Sequence, residues 1–263
     1  MKSVLVTGAY GGMGRATVRA LVAKGYQVFA LDKEVGEPED NVFPIKADIT
    51  DSDSVAQAYK TVQTMTDSLQ AIVHFAGMYM LDSLVEMKDA EFERIFRINL
   101  FGAFYINKAF LPLLKGGGRI LITTSELAPL DPLPFTGVYA VTKGALDRYA
   151  YSLAMELQLL GVDVSVLRAG AVTTGMLGAS TEALDRFCDK TGMYSPNAAR
   201  FRKIVNRVEA RSVAPEKVAA KVLSILGRRR PGFAYSINRN PLLLLLNVLP
   251  KAMQMWAIRQ VLK

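Results

Sequence analysis

Thr7-Gly8-Ala9-Tyr10-Gly11-Gly12-Met13-Gly14 is the stretch that decides how this chain folds. It follows an apolar, β-branched run at residues 4–7. It precedes residues 15–24, where Val18, Leu21 and Val22 recur at helical spacing before Gly25 ends the segment. A strand that passes through a glycine turn into a helix aims backbone N–H groups at whatever anion lies beyond the helix start, and glycines let the main chain approach it with no Cβ in the way. A plain tight turn could share this composition, but the strand–turn–helix setting favours the pyrophosphate of a dinucleotide. Gly8, Tyr10, Gly12, Met13 and Gly14 are the expected contacts.

The same alternation continues outward. Residues 26–31 form a buried-type strand ending at Asp32, and residues 42–47 lead to Asp48 and Ile49. Residues 54–65 are helical, and residues 71–75 read as a strand running into Ala76-Gly77. A long helical pattern covers 91–114, a strand 119–123, a helix 139–160 and a strand 162–168. Parallel strands need long crossovers, so this order predicts an α/β fold: one doubly wound parallel sheet with helices on both faces. No Gly-, Ser- or Pro-rich linker divides the chain. Residues 1–240 are expected to form one domain, and 241–263 an apolar, basic tail.

Composition narrows the chemistry. Of 263 residues, 51% are hydrophobic and 21% charged, enough apolar material for a sizeable core. Cys188 is the only cysteine and His74 the only histidine, so an internal disulfide, a cysteine-built metal site and a Ser-His-Asp triad are all set aside. No metal is expected. Acid–base work must fall to Tyr, Lys, Asp, Glu or Ser. The net charge of +8 is uneven: residues 200–263 hold 14 Lys/Arg against 2 Asp/Glu, while the rest is slightly acidic. No base-stacking or helix-turn-helix pattern accompanies that charge, so nucleic acid is not an expected partner. The amino terminus enters a strand at once and is read as structural, giving a cytoplasmic expectation.

Two spacings carry chemistry. Asp32 lies 18 residues after Gly14 at a strand end, where a carboxylate can accept from adenosine ribose hydroxyls and repel a 2′-phosphate. That favours NAD, with adjacent Lys33 keeping NADP open. Tyr139 and Lys143 stand four apart on one helical face, where positive charge can make a phenol a usable base. Such a pair alone is as readily an accidental surface pair.

Thr7-Gly8-x-x-x-Gly12-x-Gly14, Asp48, Phe75-Ala76-Gly77, Asn99, Ser125 and Tyr139-x-x-x-Lys143 fall in an order and spacing that resembles the short-chain dehydrogenase/reductase family, over residues 1 to about 225. Within it the chain looks nearest to the 17β-hydroxysteroid and retinol dehydrogenase-like branch. The resemblance implies a Rossmann fold and hydride transfer between a nicotinamide cofactor and an alcohol–carbonyl pair. Tyr139 would be the acid/base, Ser125 would bind the substrate oxygen, and Lys143 would bind the nicotinamide ribose. Asn99 would hold a water leading to Lys143. Asp48 and Ile49 would flank the adenine, Ala76 and Gly77 would also contact the cofactor, and Val172 and Thr174 would hold the carboxamide. Three departures stand out: Phe75 in place of the usual Asn, Ala169 in place of the usual Pro before Gly170, and a 14-residue gap from Ser125 to Tyr139, which suggests an insertion near 129–134.

Residues 175–212 would form a substrate lid. Met176, Leu177, Leu184, Phe187, Met193, Tyr194 and Phe201 there, with Tyr79, Met80, Leu127, Leu130 and Phe135 elsewhere, suit an apolar steroid-, retinoid- or fatty-type alcohol or ketone. Ser125, Leu127, Tyr139 and Met176 are the expected substrate contacts. The run Leu242–Leu246 and the segment to Lys263 are too short to span a membrane. The tail is expected over the substrate pocket or against another subunit, with peripheral membrane contact as the alternative. Long helices carrying Phe101, Phe104, Tyr149 and Tyr151 lead to an expected homodimer or homotetramer. Two rival readings stay open: an NADPH-dependent carbonyl or 3-oxoacyl-(acyl carrier protein) reductase, and a catalytically silent nucleotide sensor or scaffold.

Overall fold

Among the described residues, seven parallel strands in the order β3-β2-β1-β4-β5-β6-β7 form the sheet: β1 Lys2–Thr7, β2 Tyr26–Asp32, β3 Val42–Lys46, β4 Ala71–His74, β5 Arg119–Ser125, β6 Asp163–Ala169 and β7 Ala234–Ile237. The helices are α1 Gly12–Val22, α2 Ser52–Gln63, α3 Asp89–Phe96, α4 Gly102–Phe110, α5 Gly137–Leu157, α6 Gly175–Lys190, α7 Ser195–Glu209, α8 Pro215–Leu226, α9 Pro241–Val248 and α10 Lys251–Leu262. The computed structural model describes residues 2–263 other than Lys115 and Ala210, and excludes the side chains of Met176, Leu177, Ala179 and residues 206–209.

Strand residues alternate between the two faces. Leu5, Phe29, Leu31, Ile72, Ile120 and Ile122 pack with α2, α4 and α5 through Val62, Ile106, Phe110 and Leu146. Val4, Val6, Val28, Val73 and Leu121 pack on the other side with Val18 and Leu21 of α1 and Val218, Val222 and Ile225 of α8. Burial on both faces is why the strands read as unbroken apolar runs. The strand order reverses between β1 and β4, which opens a crevice beyond their carboxyl ends. A third cluster, Leu184, Phe187, Ala198 and Phe201 of α6 and α7 with Leu81, Phe135 and Leu262, sits apart from the sheet.

The segment read as one helix over 91–114 is α3 and α4 joined by a π-helical turn, Arg97–Phe101. Such a turn spans only a few residues within an otherwise helical segment, too few to register as a separate element in the sequence pattern.

Candidate active site

At the crevice, Gly8 adopts φ +66°, and a Cβ there would lie 2.5 Å from Ala76 N. A Cβ on Gly14 would lie 2.0 Å from the Gly8 carbonyl oxygen, and one on Gly12 would lie 2.6 Å from Thr174 Cβ. All three glycines are therefore needed for close approach. Among the described residues no side chain caps α1 and no acid occupies its first turn, so its amino end is left for an outside anion. A cleft of about 1020 Å³ opens there, lined by Gly8, Tyr10, Gly12, Met13 and Gly14, by Asp32, Asp48 and Ile49, and by Ala76, Gly77 and Thr174. Its size and its donor-rich floor fit a dinucleotide.

Asp32, at the end of β2, accepts hydrogen bonds from Tyr10 N at 2.9 Å and Lys33 N at 2.8 Å. These fix the carboxylate at the cleft wall. Asp48 accepts from Thr50 N and Thr50 Oγ1, and its other oxygen lies 3.3 Å from Lys33 Nζ; those bonds hold its carboxyl below the usual range. Arg94, Arg97 and Arg186 also line the cleft, and sequence reasoning did not single them out.

Ser125 ends β5, Tyr139 and Lys143 lie one turn apart on α5, and Asn99 sits in the π-helical turn. All four are buried. The structure brings them together. Burial pushes the Tyr139 phenol up to about 12, with Glu126 adding to the rise and the neighbouring Ser125 hydroxyl opposing it. Lys143 Nζ lies 5.9 Å from the Tyr139 ring centre and donates to Thr123 O at 3.4 Å, and burial brings its ammonium down to about 8. Asn99 Oδ1 accepts from Met78 N at 2.8 Å, while Nδ2 donates to Met78 O and Thr142 Oγ1 at 3.0 and 3.1 Å. The Asn99 side chain thus staples the segment that follows β4 to α5. Gly77 keeps the space between: a Cβ there would lie 3.2 Å from Asn99 Oδ1 and 3.3 Å from Lys143 Nζ.

A second cavity of about 240 Å³ shares Met13, Tyr79 and Thr174 with the cleft, and Ser125, Leu127, Tyr139 and Val172 stand in its wall. Phe201, Ile204, Val205 and Leu243 make it largely apolar. Of the expected lid residues, Met193 is exposed, while Leu184 and Phe187 pack against Phe135 rather than the cavity. The side chains of Met176 and Leu177 lie outside the described residues. Glu126 went unremarked in the sequence. It lines this cavity, burial raises its carboxyl, and its Oε2 accepts from Asn240 N at 2.6 Å. Its contact lies 114 residues away, which no local pattern signals.

The extra length between Ser125 and Tyr139 receives the tail. Asp131 N donates to Asn247 Oδ1 at 2.8 Å, and its carboxylate pairs with Lys251. Phe135 completes the detour in a left-handed conformation, φ +66°.

Comparison with known proteins follows the same lines. Residues 2–185 match the model of the family described as short chain dehydrogenase. A 3-ketodihydrosphingosine reductase of Bacteroides thetaiotaomicron is 26% identical, covering 97% of this chain and 96% of that protein. An NADPH-dependent 1-acyldihydroxyacetone phosphate reductase of Schizosaccharomyces pombe is 29% identical over 87% of this chain and 80% of its own length. Among solved structures, a short-chain dehydrogenase from Streptomyces avermitilis superposes with a TM-score of 0.78 at 22% identity, covering 98% of this chain and 93% of that one.

Proposed function

Because the chain belongs to the short chain dehydrogenase family and is an oxidoreductase of the alcohol–carbonyl interconversion, we propose that it uses NAD(H) on an apolar, lipid-type substrate, with Tyr139 as the acid/base. One observation carries this reading: Ser125 and Tyr139 stand together in the wall of an apolar cavity that shares Met13, Tyr79 and Thr174 with the glycine-lined cleft.

The residues divide the work as follows. A nicotinamide dinucleotide, when bound, supplies or accepts the hydride. Ser125 donates to the substrate oxygen and holds it against Tyr139. In the reducing direction the Tyr139 phenol gives its proton to that oxygen; in the oxidising direction the phenolate takes the alcohol proton. A phenol held near 12 rests protonated, ready for reduction. For oxidation it needs positive charge nearby, which Lys143 provides. Lys143 also binds the nicotinamide ribose. Asn99, its side chain engaged by Met78 and Thr142, holds the water leading to Lys143 through its main chain. Asp32 receives the adenosine ribose hydroxyls, Asp48 and Ile49 flank the adenine, and Val172 and Thr174 hold the carboxamide.

A second reading has support in the Schizosaccharomyces pombe relative, whose name is NADPH-dependent, and in Lys33, Arg94, Arg97 and Arg186 along the cleft. The two separate by titrating the protein with NADH and NADPH and then measuring turnover on long-chain and steroidal ketones. NADH is expected to bind at least tenfold more tightly. Tyr139→Phe is expected to lower turnover about a thousandfold, within the range for a lost general acid, with NADH affinity unchanged. Tighter binding of NADPH would overturn the role given to Asp32. Undiminished turnover in Tyr139→Phe would overturn that given to Tyr139.

A further inference from the structure

The two last helices turn one side inward and leave the other uncovered. Inward, Leu243 of α9 enters the wall of the apolar cavity, Asn247 meets the Asp131 backbone, and Gln254 and Leu262 of α10 are buried. The Leu262 carbonyl accepts from Asn197 and Arg200 of α7 at 2.7 and 3.2 Å, which pins the end of α10. Outward, Leu242 and Leu245 are each 65% exposed and Val248 81%, at a spacing of three that places them along one side of α9. On α10, Met253, Met255 and Val261 are more than half exposed, as is Trp256 at 65%.

The charge around this surface is mostly of one sign. From residue 217 to the carboxyl end there are nine Lys/Arg and no Asp or Glu. Arg228-Arg229-Arg230 belong elsewhere: they precede β7 and so lie at the amino edge of the sheet, whereas α9 leaves its carboxyl edge. The cations that accompany the exposed apolar side chains are Arg239, just before the Asn240 cap of α9, Lys251, Arg259 and Lys263 of α10, and Arg200 of α7 against the end of α10. Two acids from elsewhere in the chain stand beside them: Asp131, paired with Lys251, and Glu126, which feels the charge of Arg239 from the cavity side.

We propose that this α9–α10 surface docks the protein on an anionic lipid bilayer. Apolar side chains set among cations suit the boundary between acyl chains and acidic headgroups. A second copy is a poor fit, because pairing this face with itself would oppose its like charges. The helices rest on the bilayer rather than cross it, since no helix among the described residues is long and apolar enough to span. On the reading of the 240 Å³ cavity as the substrate site, Leu243 faces the substrate while Leu242 and Leu245 face lipid. One helix then separates the membrane from the reaction, which would let a lipid substrate enter without crossing water.

Trp256 is the only tryptophan in the chain and lies on this surface, so its emission reports on docking directly. The full-length protein would be mixed with vesicles of phosphatidylcholine alone and of phosphatidylcholine with 30% phosphatidylglycerol. The expected result is a blue shift, quenching by brominated acyl chains, and at least tenfold more co-sedimentation with the anionic vesicles. Leu242→Ser/Leu245→Ser should remove that binding while NADH binding and turnover of a water-soluble ketone stay as in the wild type. Emission unmoved by anionic vesicles would overturn the proposal, and so would undiminished co-sedimentation of the double variant. A shift already present without lipid, together with a dimer mass that the double variant abolishes, would assign the surface to a second copy. NADH turnover is read separately, so failure here leaves the enzymatic reading standing.

Discussion

Burial at the end of β4 leaves His74 with its Nε2 2.8 Å from Asn107 Oδ1, whose Nδ2 in turn donates to Tyr149 OH at 3.2 Å. Burial dominates and lowers the imidazole from 6.5 to about 4, against the smaller upward effect of the Asn107 bond. Between those values the unfolded chain binds the proton and the folded chain does not, so stability rises with pH through this window and falls as the pH drops from 6.5 towards 4. The loss attributable to this one residue is about 3 kcal/mol at the acid end, at about 1.36 kcal/mol per unit. His74→Gln keeps an amide for Asn107 and cannot titrate. Urea unfolding at pH 7 and pH 4 should show a smaller acid loss in the variant by that amount; equal losses would show that His74 does not control it. The Tyr139–Lys143 spacing and the glycines of the turn were legible in the sequence, because each is a local pattern. Glu126 was not, because its partner Asn240 is distant in sequence and the cavity it lines exists only once α9 has returned over β5.

At the level of elements, α5 must hold Tyr139 and Lys143 at a fixed height against β5 and β6. One turn beyond Lys143, Asp147 receives a two-pronged contact from Arg168 of β6, at 3.0 Å to Nε and 2.7 Å to Nη2, and accepts from Thr124 Oγ1 of β5 at 3.2 Å. The pair raises the Arg168 guanidinium further, with its hydrogen bonds outweighing the cost of burial. Removing one partner strands the other charge, so Arg168→Met is expected to cost about 3 kcal/mol in urea unfolding. Arg168→Met/Asp147→Leu should recover most of that, since two apolar side chains leave no orphaned charge. A double variant no more stable than the single one would show that the clamp matters for packing alone. Alternating strands and helices were legible as elements because their apolar periods differ. The insertion near 129–134 was legible from the Ser125–Tyr139 spacing, but its contact with the tail was not, since that contact joins elements distant in the chain. The π-helical turn at Asn99 left no separate signal.

For the molecule as a whole, the order of strands and the place of the crevice follow from the parallel, doubly wound topology that the sequence pattern implied. What that pattern leaves open is how many copies assemble. Packed on one face of the sheet, α4 and α5 turn Ile106 and Leu146 inward, yet keep Phe104, Tyr151 and Met155 substantially exposed, with Phe101 before them and Leu159 beyond. This surface lies on helices remote in sequence from the tail, and Lys108 stacks over Phe104 at 5.8 Å. A second copy meeting it through the same helices would bury aromatic rings that a monomer leaves in water. Sedimentation velocity is therefore expected to give a dimer or tetramer, with a melting temperature that rises with protein concentration. Phe104→Glu should shift the mass to the monomer without unfolding it, because a Glu four residues before Lys108 supports the helix. A wild-type monomer at every concentration would remove this surface from assembly, and an unchanged oligomer in Phe104→Glu would move the interface to other helices.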